Sequence, residues 1–157
     1  MIAFSEHESY MRLALSLAEE ALAAGEVPVG CVSVDGRGEV VGRGRNRREE
    51  SRCVTGHAEL EALGDACRAR GDWRLEDCTA FVTLEPCPMC AGALLNARLG
   101  ALVYGVREPE TGSAGSVLNL FAEGYPWKCA VVGGVLAEES RDLLRRAFEA
   151  RRKLRNK

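Results

Sequence analysis

The apolar positions of the chain change period several times, and each change marks an element. Met11, Ala14, Leu15, Ala18, Ala21 and Leu22 recur at helical spacing, which predicts an amphipathic helix over 5–24. Ser5-Glu6-His7-Glu8 has the form of a capping box at its start, and Gly25 stops it. Val27 to Val34 is short and β-branched, Asp35-Gly36-Arg37-Gly38 has turn chemistry, and 39–44 returns as a second strand, so the two predict a hairpin. The polar stretch 45–52 predicts an exposed loop that delivers the chain to His57. Residues 57–70 read as a helix with Leu60, Leu63, Ala66 and Cys67 on one face, broken by Gly71-Asp72-Trp73. A third strand is expected over 79–83, a buried helix over 87–97 with Pro86 just before its start, and a fourth strand over 101–105. A Gly- and Ser-rich loop (107–116), a helical turn (117–122) and a last strand (130–132) follow. The terminal helix, 138–155, would turn Leu143, Leu144, Ala147 and Phe148 inward.

Strands alternating with helices imply an α/β fold, a sheet of about five strands with helices on both faces. With 157 residues, no internal repeat and no linker, a single domain is expected over 1–157, carrying a basic C-terminal helix at about 138–157.

Composition changes this picture little. A chain 46% hydrophobic and 28% charged is ordinary for a soluble globular protein. No apolar run approaches the roughly 20 residues of a membrane span, and the first residues lack a signal-peptide pattern, so a cytoplasmic protein is expected. Seven Cys in a reducing compartment suit buried thiols or metal ligands better than a disulfide framework. The net charge of −2 conceals an asymmetry: residues 141–157 hold eight Arg or Lys, Lys157 among them, against Asp142 and Glu149. Such a tail is either a solvated helix end, favoured by the helix dipole, or an anion-binding segment.

Chemistry concentrates in two stretches, His57-Ala58-Glu59 and Pro86-Cys87-Pro88-Met89-Cys90. Cys87 and Cys90 are three apart, so both can reach one ion from the first turn of a helix whose N-terminus favours thiolates. His57 at the start of the other helix supplies a third ligand, and three protein ligands leave one position open for water. Glu59 is two residues on. At a helix entrance it can face the same pocket, take a proton from the attacking water and pass it to a ring nitrogen. Taken alone, C-x-x-C is also half of a structural zinc site or a redox pair, and a zinc-stabilised nucleic-acid-binding module is a third reading. The joint pattern H-x-E with P-C-x-x-C is the zinc deaminase signature, and a mere binder has no use for Glu59.

With these motifs, and with Glu26-Val27-Pro28-Val29-Gly30, Gly44-Arg45-Asn46-Arg47, Tyr104-Gly105-Val106-Arg107 and Thr111 to Ser116, the chain resembles the cytidine/nucleoside deaminase superfamily. It is most similar there to the bacterial tRNA adenosine deaminases, the TadA group. The resemblance implies a three-layer α/β/α cytidine-deaminase-like fold with a mixed sheet. It implies one Zn2+ per subunit on His57, Cys87 and Cys90, with Glu59 as proton shuttle. Val29, Asn46, Ala58 and Pro86 would bind the base, Asn46 by hydrogen bonding to the adenine. The implied activity is hydrolytic conversion of wobble adenosine to inosine in a tRNA anticodon loop. The alternative is the same chemistry on a free purine base or nucleoside. The group's homodimer carries over as an expectation, and Arg45, Arg47, Arg107, Glu108, Arg151 and Arg152 are candidate RNA contacts. Three stretches depart from the group's pattern. Cys53-Val54-Thr55-Gly56 precedes His57 in place of an acidic residue and Thr-Ala, and Cys53 could bring an extra thiol to the pocket. Tyr125-Pro126-Trp127-Lys128 replaces an aromatic-Asn-x-His pattern, and Ala147-Phe148 replaces paired Phe.

Overall fold

Five short runs of β-branched and small residues pair into one sheet: β1 (Gly30–Val34), β2 (Val40–Arg45), β3 (Thr79–Leu84), β4 (Ala101–Val106) and β5 (Ala130–Val132), in the order β2-β1-β3-β4-β5. The computed structural model describes residues 1–156, so Lys157 lies outside the described residues. β1 is antiparallel to β2 and to β3, whereas β3, β4 and β5 run parallel, which makes the sheet mixed. β1 and β4 are buried at every position, and β3 at all but its last. Covered on both faces, they show no in–out alternation in sequence.

The covering helices are α1 (His7–Ala23), α3 (Ala58–Arg70), α4 (Pro88–Asn96) and α5 (Ala137–Arg155), with a one-turn α2 (Arg48–Ser51) between β2 and α3. On one face α3 and α4 build a core of Ala58, Ala62, Leu63 and Leu94 against Cys31, Ala80, Val82, Leu102 and Tyr104. On the other, Met11 and Ala14 of α1 pack on Val32, Val34, Phe81 and Val103, and α5 lies against α1 and β4. The result is the expected three-layer α/β/α architecture. No helix of the described residues is long and apolar enough to cross a membrane.

Several boundaries differ from the sequence reading, each for a local reason. The capping box does not form: a 3-10 turn at Phe4–Glu6 leads into α1, and no side chain caps the helix. The predicted loop 45–52 contains α2, because the Glu26 carboxylate, 2% exposed, accepts the Glu49 and Glu50 amides at 3.2 and 2.7 Å. A helix start held from 23 residues away leaves no periodicity to read. The inward face of α3 is Ala58, Glu59, Ala62, Leu63 and Ala66, with Leu60 only half-buried. Gly42 and Gly44 draw β2 so close to α3 that the contact row must be alanine; a Cβ on Gly44 would lie 2.2 Å from the Ala58 carbonyl oxygen. Cys87 is the N-cap residue of α4, with no side-chain cap, and Pro88 takes its first turn. On α5 the buried positions are Ser140, Leu143 and Ala147, Leu144 is half-buried, and Phe148 is 52% exposed.

Candidate active site

The parallel strands β3 and β4 end beside the amino ends of α3 and α4, and a cavity of about 200 Å3 opens there. That is the position at which α/β sheets present ligands, outside the carboxyl ends of their strands. His57 is the N-cap of α3, in extended conformation (φ −95°, ψ 148°), and Glu59 stands in its first turn. The extended residue breaks the helical phase between them, so both line the cavity although they are two apart. Cys87 is likewise an extended N-cap, with Cys90 one turn on.

His57 Nδ1 lies 3.8 Å from Cys87 Sγ and 3.5 Å from Cys90 Sγ. Donor atoms of the three residues all fall within 4.8 Å of one another, and they form a potential metal-binding triad among the described residues. The two thiols share their protons unequally. The hydrogen bond from Cys90, opposed by burial and helped by His57, lowers the Cys87 thiol to about 4. The same contact, together with burial, raises Cys90. The bond to Cys87 raises His57.

Glu59 is 4% exposed. Burial raises its carboxyl above the ordinary range. Val27, Val29 and Leu84 make apolar walls, and Asn46, Arg48, Glu108 and Thr111 form the polar rim. The volume is below the roughly 300–1,000 Å3 of pockets for drug-sized ligands, and fits one ring system better than a larger molecule.

The model of the MafB19-like deaminase family matches residues 5–134. The chain belongs to this deaminase family. The tRNA-specific adenosine deaminase of Bacillus subtilis strain 168 is 42% identical over 150 residues, covering 95% of this chain and 92% of that protein. The tRNA(Ile)-lysidine synthase of Deinococcus radiodurans is 50% identical over 141 residues, 89% of this chain; the match spans only 24%, about a quarter, of that relative. A solved structure from a study of A-to-I editing by tRNA:A34 deaminases superposes with a TM-score of 0.82 at 39% identity, covering 87% of this chain and 99% of that one.

Within the deaminase, the residues expected to bind the base separate. Val29, Asn46 and Ala58 line the cavity, whereas Pro86 is buried outside it with its carbonyl accepting the Ser113 amide at 2.9 Å. Asn46 is held by both ends: Nδ2 donates to the Val27 carbonyl at 3.1 Å and Oδ1 accepts from the Arg48 amide at 3.0 Å. One N–H and one lone pair remain for a ligand. Cys53 is exposed, bonds Thr55 at 3.0 Å and is not part of the triad.

The candidate RNA contacts also divide. Arg45 is 9% exposed and donates to Glu50 at 2.9 Å, and Arg47 is engaged by Glu61 and Glu50 at 3.1 and 3.3 Å. Arg151 points back to the Gly25 carbonyl at 3.5 Å, while Arg107 and Arg152 are exposed, with no carboxylate partner among the described residues. Glu108 reaches the cavity itself. The sequence reading missed Glu26 and Glu85 as anchors. Only their burial reveals them, although Glu85 stands two residues before Cys87.

Proposed function

We propose that the chain is a zinc-dependent hydrolytic deaminase converting wobble adenosine to inosine in a tRNA anticodon loop. The observation that carries this is the His57-Cys87-Cys90 triad beside buried Glu59 at the wall of a base-sized cavity. The donor set fits zinc. Tetrahedral bonds of about 2.3 Å to sulfur and about 2.0–2.1 Å to nitrogen separate sulfur from nitrogen by about 3.5–3.6 Å. The separations from His57 Nδ1 are 3.5 and 3.8 Å. Zinc bound there supplies the Lewis acid that makes water a nucleophile near neutral pH.

The chain's own groups then divide the work. Glu59 takes a proton from the water that attacks C6 of adenine and returns protons to the ring nitrogen and the leaving amine. The C6–O bond forms, the C6–N bond breaks, and ammonia leaves. The Ala58 amide, in the first turn of α3, is free of an intrahelical partner and can hydrogen-bond the base edge. Asn46 contributes its remaining donor and acceptor, and Val27, Val29 and Leu84 shield the ring from water.

Substrate rests on different grounds. The relative from Bacillus subtilis and the solved deaminase concern tRNA adenosine, and each matches most of its length. An adenine in a single-stranded loop unstacks at little cost, and the exposed Arg107 and Arg152 offer guanidinium groups to phosphates. A cytoplasmic homodimer with loop contacts from both subunits belongs to the same proposal. The second reading, a free purine base or nucleoside, draws on the cavity's size, which admits a base alone.

The test of the chemistry is Glu59→Gln. Zinc analysis should return about one ion per chain in both proteins, while turnover falls by about 10²–10⁴. Retained turnover would overturn the role of Glu59, and zinc-free parent protein would overturn the metal.

A further inference from the structure

Glu108 and Thr111, from the segment that leaves β4, share the cavity lining with Asn46 and Arg48. Between Arg107 and Asn119 this segment has no helix or strand, only an isolated bridge from Ala114 to Asn119. Its backbone is organised by one side chain from elsewhere. Glu85, just beyond β3, is 2% exposed. Its Oε1 accepts the amides of Ala114 and Ser116, both at 3.0 Å. Its Oε2 accepts the Glu108 amide at 3.0 Å and the Ser116 hydroxyl. A carboxylate has about four acceptor sites, so one loop fills them all. Gly112 seals the contact: a Cβ there would lie 2.6 Å from the Glu85 carboxyl carbon and 2.3 Å from the Glu108 carbonyl oxygen.

We propose that Glu85 is a positioning residue that fixes the 108–116 loop and thereby sets Glu108 and Thr111 as the substrate-facing wall. That the wall meets RNA rests on the proposed function; the latch itself does not. Its oxygens are spent on the loop, so Glu85 holds the wall without bonding the substrate.

The pattern of acceptors makes the consequences specific. In Glu85→Gln the remaining oxygen can keep the Ala114 and Ser116 amides, while the new NH2 group opposes the Glu108 N–H, donor against donor. Only the Glu108 end should come free. Glu85→Ala should release both ends. Gly112→Ala should push the loop off from its own side, leaving the Glu85 carboxylate and Cys87 chemically unchanged.

The experiment reads amide hydrogen exchange at Glu108, Ala114 and Ser116 in the zinc-loaded full chain. Zinc content is measured alongside, and steady-state kinetics on a hairpin RNA carrying a wobble adenosine. A lost hydrogen bond to a charged acceptor corresponds to about ten-fold or more. Glu85→Gln should therefore speed exchange at Glu108 about ten-fold and raise KM by a similar factor, with kcat within about two-fold. Exchange at Ala114 and Ser116 and the zinc content should hold. Gly112→Ala should reproduce the rise in KM. Parent-like exchange at Glu108 in Glu85→Gln would overturn the latch. Loss of zinc, or a fall in kcat at constant KM, would instead make Glu85 a support of the metal ligands. If the parent protein leaves the hairpin untouched, the proposed function fails, and the exchange pattern still decides the role of Glu85.

Discussion

Adding one methyl group to Gly44 should disable the site by displacing the backbone beneath it, with the side chains of His57, Glu59, Cys87 and Cys90 unchanged. Gly44 lies in β2, paired with Cys31 of β1, directly beneath the amino end of α3. Its added Cβ would lie 2.2 Å from the Ala58 carbonyl oxygen, 2.6 Å from the Ala62 amide nitrogen and 2.8 Å from the Glu61 Cβ. Ordinary contact begins near 3.4 Å, so helix and strand must separate by about 1 Å. The strand is held by its ladder to β1, so the helix moves, and His57, Ala58 and Glu59 move with it. Forced insertion of a methyl group into packed backbone costs about 1–3 kcal/mol or more. The functional loss should be larger, because metal sites tolerate only about 0.2 Å in ligand distance. A misplacement of about 1 Å costs on the order of 10²-fold in rate. Urea unfolding, chelator competition for zinc and steady-state kinetics on Gly44→Ala measure all three. Gly64→Ala is the control on the same helix, since its Cβ would meet only the Arg68 guanidinium, at 3.3 Å. It should gain about 0.5–1 kcal/mol of stability and keep full activity. Parent-like zinc affinity and turnover in Gly44→Ala would refute the claim that this contact sets the position of His57.

RNA binding should weaken with salt, and Arg107→Ala or Arg152→Ala should each flatten the slope of log affinity against log salt by about 0.7. Arg45→Ala, whose guanidinium is occupied by Glu50, should leave that slope unchanged, and equal slopes for all three would contradict the division. In the β1–β2 turn, burial alone would raise the Asp35 carboxyl, but the Glu39 and Arg37 amides and the Arg37 guanidinium hold it below the ordinary range. A depressed value means that its stabilisation is complete above the unfolded-state pKa near 4 and is lost as pH falls through the folded value. Asp35→Ala should therefore cost about 1–3 kcal/mol at pH 7 in denaturant titrations, and the deficit should vanish in acid; a deficit independent of pH would assign it to packing.

Element types and order were legible in the sequence because the core strands are short runs of mostly apolar and β-branched residues and α1 carries a clear stripe. His57, Glu59, Cys87 and Cys90 were legible because they stand at the amino ends of α3 and α4, so short spacings encode their juxtaposition. What escaped depends on long-range partners. α2 exists through Glu26, and the 108–116 loop is held by Glu85, and neither leaves a periodic trace. Leu60 and Phe148 misled because apolar character at helical spacing does not reveal which face a close-packed neighbour leaves room for. Arg45 and Arg47 sit in a basic run, yet intervening carboxylates occupy them.

The most direct test is product identity. The zinc-loaded chain is incubated with an anticodon hairpin bearing a wobble adenosine, and separately with adenosine, adenine, guanine and cytidine. Inosine at the wobble position, with no comparable product from the small molecules, is the predicted result. Deamination confined to a free base or nucleoside would contradict the tRNA substrate, and no deamination at all would contradict the chemistry assigned to His57, Glu59, Cys87 and Cys90.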